Sequence, residues 1–175
     1  SYYLPGGEER AGQLLEYARP AIDYYLRELG FYPAPQLSIA PGDERWTGGF
    51  ATTNLVFIHG GGESESFLRG IVAHEIGHQY FGVLVGDPNE YPKWLSLGLG
   101  LWLDKQFSDR TMAGPGGGWG LCRRSLGARE RDMTMMQPVT RLWQADFDWN
   151  NVLAHGKSML LMLALEREIG QEGMW

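Results

Sequence analysis

From Glu8 to Leu29, apolar residues recur at steps of three and four: Leu14, Leu15, Ala18, Ile22, Tyr25, Leu26 and Leu29. That period predicts an amphipathic helix. Gly30 supplies its stop, and Pro20 predicts a kink or break inside it. The pattern then shortens. QLSIA (Gln36–Ala40) and NLVFIH (Asn54–His59) read as strands, and WTGGFATT (Trp46–Thr53) as a third strand or a bent edge. After the loop HGGGESES, residues from about Glu65 to Val85 are apolar on most sides and predict a buried helix, with Glu63 and Glu65 at its positive end. DPNEYP breaks the chain. A second apolar helix is predicted over Lys93–Phe107, a glycine-rich surface loop over Gly114–Gly120, a short helix near Leu121–Glu130 and a last helix over Asn150–Ile169. A few strands followed mostly by helices predict an α+β domain.

The 175 residues suit one domain over positions 1–175, although the ending GQEGMW, just past a helix end, equally fits a piece of a longer protein. A net charge of −6 argues against a nucleic-acid partner and a polybasic membrane patch. No apolar run is long enough to predict a membrane span. The start lacks a signal-peptide pattern, which slightly favours a cytoplasmic location. The lone cysteine, Cys122, forms no intrachain disulfide and reads as an inert thiol. The Met133, Met135 and Met136 group reads as adaptable packing. Trp143, Phe147 and Trp149, around Asp146 and Asp148, read as core residues or as a cleft wall.

The chemistry concentrates in HEIGHQYFG, His74–Gly82. Residues four apart share one helix face, so His74 and His78 can present both imidazoles to one metal ion. Glu75 lies one step round, within reach of a water on that ion. Zinc lowers the water's pKa and the glutamate takes its proton, which is why this spacing points to a hydrolase. Chance yields the pattern in about one such chain in a hundred. Without metal, a buried histidine pair would leave ring nitrogens to satisfy.

VAHEIGHQYFG (Val72–Gly82) resembles the zinc helix of the alanyl aminopeptidase-type gluzincins, the group that includes leukotriene hydrolase, whose pattern is H-E-x-x-H-Q-W-F-G. KWLSLGLGLWLD (Lys93–Asp104) is similar to that family's W-L-N-E-G-F-A helix, and HGKSMLLMLALEREIG (His155–Gly170) to its Y-x-K-G segment and following helix. The three blocks, in order, cover most of residues 45–172. The resemblance implies a thermolysin-like zinc catalytic domain that hydrolyses peptide bonds, with Zn2+ as cofactor and a peptide or small molecule as substrate. The family's flanking β and helical domains have no counterpart here.

Three positions depart from the family pattern. The resemblance expects a third zinc ligand, a glutamate, nineteen residues after His78, where Leu97 stands. Leucine has no lone pair for a metal. The family's oxyanion-steadying tyrosine falls on His155, and its amine-anchoring glutamate on Ala51 within GGFAT. Losing the amine anchor argues against ordinary aminopeptidase action. Losing the ligand is graver, because catalytic zinc sites normally hold three protein ligands. Asp104 is two turns past Leu97, too far to substitute simply. Asp87 and Glu90 remain open as donors. His155 is the most attractive replacement, since imidazole suits zinc; its other reading is a pocket-wall residue. His59 reads as a surface or hydrogen-bonded histidine. The expectation is a zinc-dependent hydrolase with His74, His78 and His155 on the metal, and Glu75 and His155 as catalytic groups. Its competitors are a descendant that only binds, and a working peptidase altered at Leu97.

Overall fold

The computed structural model describes residues 2–43, 45, 48–60, 64–86, 94–111 and 147–175, with side chains in the last segment from His155 onward. It is an α+β arrangement. Helix α1 (Glu8–Leu29) precedes strands β1 (Ser38–Pro41), β2 (Gly48–Thr52) and β3 (Leu55–His59); helices α2 (Glu65–Gly77), α3 (Trp94–Thr111) and α4 (Phe147–Met174) follow. The predicted glycine-rich loop, the helix near 121–130, Cys122, the three methionines, Trp143 and Asp146 lie outside the described residues, as do the side chains of Phe147, Asp148 and Trp149.

Helix α1 has its predicted bounds, and Gly30 closes it with φ 80°, its N–H bonded to the Leu26 carbonyl at 3.0 Å. Pro20 does not break it. Pro20 and Glu16, whose carbonyl loses its donor, are both exposed, so water can serve that carbonyl. The buried stripe is Ala11, Leu14, Tyr17, Ala18, Ala21, Tyr24 and Tyr25. Leu15 and Leu26, expected inside, are 44% and 39% exposed; the larger tyrosines take the inner face.

The sheet order is β1-β3-β2, with β1 parallel and β2 antiparallel to β3. The β2–β3 turn includes Asn54 at φ 61°, a left-handed conformation that asparagine tolerates. Ile39, Val56 and Ile58 face inward and join the core with α1, α2 and α3.

Ser64 caps α2 by accepting from the Phe67 N–H at 3.3 Å. The helix ends at Gly77, eight residues before the expected Val85. Beyond it, the N–H groups of Val83, Leu84 and Val85 donate to the carbonyls of His78, Gln79 and Tyr80 at 3.0, 3.1 and 2.9 Å. This wider turn is allowed by Gly82 at φ 125°. His78 keeps helical angles and its N–H still reaches the His74 carbonyl at 3.1 Å, so the four-residue relation survives the helix end.

Tyrosines lock α1 to this end of α2. Tyr25 donates to the Ala73 carbonyl at 3.1 Å and Tyr80 to the Phe31 carbonyl at 2.7 Å. Their rings meet edge to face, 5.9 Å apart. Such pairs add about 0.5–1.5 kcal/mol beyond burial. Helix α3 runs four residues past its expected end, supported by Lys105–Asp109 and Arg110–Glu28 ion pairs. Helix α4 is longer than predicted at both ends, is interrupted at Gly170 (φ 77°, ψ 161°), and leads to Trp175, whose ring rests 4.7 Å from Trp102. Among the described residues, no helix is long and apolar enough to cross a membrane.

Candidate functional site

His74 and Glu75 lie in the last turn of α2 and both are buried; His78 caps the helix and is half-buried. The two rings stand 4.5 Å apart, nearly edge to face, with their Nε2 atoms separated by 3.1 Å. Two imidazole nitrogens on one tetrahedral zinc, each about 2.0–2.1 Å from it, stand about 3.3 Å apart. The pair is therefore spaced as two ligands of one ion would be.

The hydrogens follow from the partners. His78 Nδ1 lies 2.8 Å from the Phe81 carbonyl, which can only accept, so Nδ1 carries the hydrogen and Nε2 keeps its lone pair. Without metal, His74 Nε2 must then donate to His78. This leaves His74 Nδ1 a bare acceptor, buried with no hydrogen-bond partner. Such an orphan costs about 1–3 kcal/mol. A cation between the Nε2 atoms would displace the shared hydrogen to Nδ1. The Gly100 backbone opposes burial and favours the protonated ring, although Nδ1 has no partner with hydrogen-bond geometry. The spacing of the pair and the orphaned Nδ1 are thus compatible with a shared cation.

Burial, then the charges of His78 and His155, hold the His74 pKa well below the usual imidazole value. Burial alone pushes the Glu75 carboxyl up to about 8. Strand β2 contributes to that burial. A Cβ on Gly49 would come within 2.3 Å of Glu75 Cγ, so only glycine lets the carboxyl lie against the strand. On α3, a Cβ on Gly100 would come within 2.7 Å of His78 Cε1. Ala51, two residues beyond Gly49 and on the same face of β2, packs against the core.

Leu97 is half-buried on α3, one turn before Gly100 and about 60° round the helix from it. His155, on α4, is half-buried with its ring 6.3 Å from that of His74, tilted by 47°. Ring centroids of two histidines on one zinc stand about 5 Å apart. The His155 ring therefore stands about 1 Å farther from that of His74 than two rings on one zinc would. Among the described residues, no three histidine, cysteine, aspartate or glutamate side chains are gathered to hold an ion. Asp104 is buried and accepts from Ser108 at 3.0 Å. His59 accepts the Asp43 N–H through Nδ1 at 2.9 Å, the hydrogen-bonded role expected of it. Asp87 and Glu90 lie outside the described residues.

Sequence reasoning missed Gly49, Gly100 and Gln79. A glycine pair inside a strand signals close backbone approach, and small residues in an apolar helix signal a tight neighbour. Gln79 gave a weaker signal, an amide on a buried helix directly after His78. Set against known proteins, the chain matches no family model, no curated protein and no solved structure.

Proposed function

We propose that the chain is a zinc-dependent hydrolase with the thermolysin-like catalytic domain of the alanyl aminopeptidase-type metallopeptidases its motifs resemble, acting on peptide bonds. The observation that carries this reading is the imidazole pair, with Nε2 atoms 3.1 Å apart, one ring oriented by the Phe81 carbonyl and the other left with an orphaned Nδ1. His74 and His78 would hold the ion. His155 either completes the ligand set by a small inward shift or donates to the oxyanion. Zinc, when bound, brings the pKa of a coordinated water toward neutrality and polarises a carbonyl.

Glu75 is the general base. Its carboxyl, at about 8, is mostly protonated at neutral pH in the metal-free protein. A neighbouring cation lowers it, so the base is ready when the metal is present. It then accepts a proton and passes it to the leaving amine. Ala51 carries no charge to hold a free amino terminus, which favours internal peptide bonds over terminal ones.

The test uses zinc-loaded protein and quenched fluorescent peptides. Glu75→Gln should keep its zinc and lose about 10²–10⁴-fold in turnover. Equal turnover by parent and variant, or none by the zinc-loaded parent, would defeat the reading. Leu97 and the lack of a third gathered donor among the described residues favour a second reading, a pocket that binds without catalysis. That reading predicts no stoichiometric zinc.

A further inference from the structure

Gln79 directly follows His78, at the point where α2 gives way to the wide turn, and it is 1% exposed. A buried carboxamide must be paired at both ends. This one is, and both partners belong to the same hairpin. Nε2 donates to the Thr52 carbonyl at 3.0 Å, and Oε1 accepts the Asn54 N–H at 3.0 Å. Thr52 is the last residue of β2 and Asn54 is the left-handed turn residue. One side chain thus grips the β2–β3 turn on both sides. Its own backbone is held in place, its N–H bonded to the Ile76 carbonyl at 3.0 Å and its carbonyl to the Leu84 N–H at 3.1 Å.

The grip has a consequence at the other end of β2. Gly49 is three residues from Thr52, about 10 Å along an extended strand. There the strand backbone presses against the Glu75 side chain closely enough to exclude a Cβ. Gln79 and Glu75 stand four apart on the same stretch of chain. Each meets β2, one through hydrogen bonds at its end and the other through direct packing at its start.

We propose that Gln79 is a positioning residue: its carboxamide ties the β2–β3 turn to the end of the histidine helix and so holds the backbone of β2 against Glu75. The role in turnover rests on the hydrolase reading above; the role in holding the strand does not. An apolar side chain of the same size would leave the Asn54 N–H and the Thr52 carbonyl without this partner, and β2 held beside Glu75 only through its pairing with β3.

The test compares the full-length parent with Gln79→Met, close in volume, and Gln79→Glu, which keeps the acceptor for Asn54 and loses the donor for Thr52. NMR measures exchange of the Asn54 amide and the nuclear Overhauser contact between Gly49 Hα and Glu75 Hγ. Zinc content, kcat and KM are measured on the loaded proteins. Gln79→Met should expose the Asn54 amide and lose the Gly49–Glu75 contact while retaining the parent's zinc. Its kcat should fall about 10-fold or more with KM little changed. Gln79→Glu should fall between parent and Gln79→Met. A Gly49–Glu75 contact that persists in Gln79→Met despite free exchange at Asn54 overturns the proposal, as does an unchanged kcat in an active parent. A parent lacking zinc or turnover defeats the hydrolase reading alone, and the nuclear Overhauser comparison then decides the role of Gln79.

Discussion

The two walls of the site are built by different means. On the α2–β2 wall, polar groups set position: Phe81 fixes the His78 ring, Gln79 holds the β2–β3 turn, Tyr25 of α1 bonds to α2, and Tyr80 just past α2 bonds to Phe31 just past α1. On the α3–α4 wall, apolar and small residues set distance. Gly100 admits the His78 ring, Gly98 lies so close to α4 that a Cβ would reach the Ser158 carbonyl at 2.9 Å, and half-buried Leu97 stands one turn before Gly100, where the proposed family resemblance would put a carboxylate. The first wall orients the Glu75 carboxyl and two imidazoles. In the proposed hydrolase, any third zinc ligand from α3 or α4 would come from the second wall.

The sharpest way to test this contrast is Leu97→Glu. Supplying a carboxylate on the second wall should tighten zinc binding on the order of 100-fold, read by competition with a chromogenic chelator. No gain would show that α3 does not present this position to the histidine pair.

Next in size is a pH effect confined to the first wall. In metal-free protein the folded-state pKa of Glu75, about 8, lies above the ordinary 4.5. The native state therefore holds this proton more tightly than the unfolded chain. Stability from this group is fully present below pH 4.5 and is lost as pH rises through 8. His74 acts in the opposite sense: its depressed pKa makes stability fall as pH drops below 6.5. Urea unfolding in a chelator should show a loss of about 2–3 kcal/mol between pH 6 and pH 9. Glu75→Gln should remove most of that loss, and an unchanged loss would mean the carboxyl is not buried as described.

The smallest effect expected is from Gly100→Ala. The added methyl must push the His78 ring and strain its bond to Phe81, with a 10–100-fold weakening of zinc as the estimated scale. Thermal stability of the metal-free protein should fall by about 1–3 kcal/mol. Zinc affinity equal to the parent's would show that the ring has room to yield.

The two walls were not equally legible in the sequence. Helix α1 was readable because its period and Gly30 point the same way, although Tyr17 and Tyr24 rather than Leu15 and Leu26 fill its inner face, and β3 because its residues are β-branched and aromatic. The early end of α2 was not, because apolar residues continue to Val85 and only hydrogen bonding distinguishes a wide turn from a helix. The placing of His74, Glu75 and His78 follows from helical spacing, which local chain geometry dictates. The position of His155 relative to them depends on how α4 packs against α3, a long-range relation that periodicity does not encode. Gly49 and Gly100 signal only that something approaches closely; which side chain does so shows only when the neighbour is in place.

The central claim is that His74 and His78 form a metal site whose remaining coordination falls to the second wall. The direct measurement is zinc per chain, by elemental analysis, in protein purified without added metal or chelator, alongside His78→Ala and His155→Ala. The account predicts close to one zinc per parent chain and almost none in His78→Ala, with the His155→Ala content showing whether that ring is a ligand. A parent chain with no zinc, or one whose zinc survives His78→Ala, would contradict it.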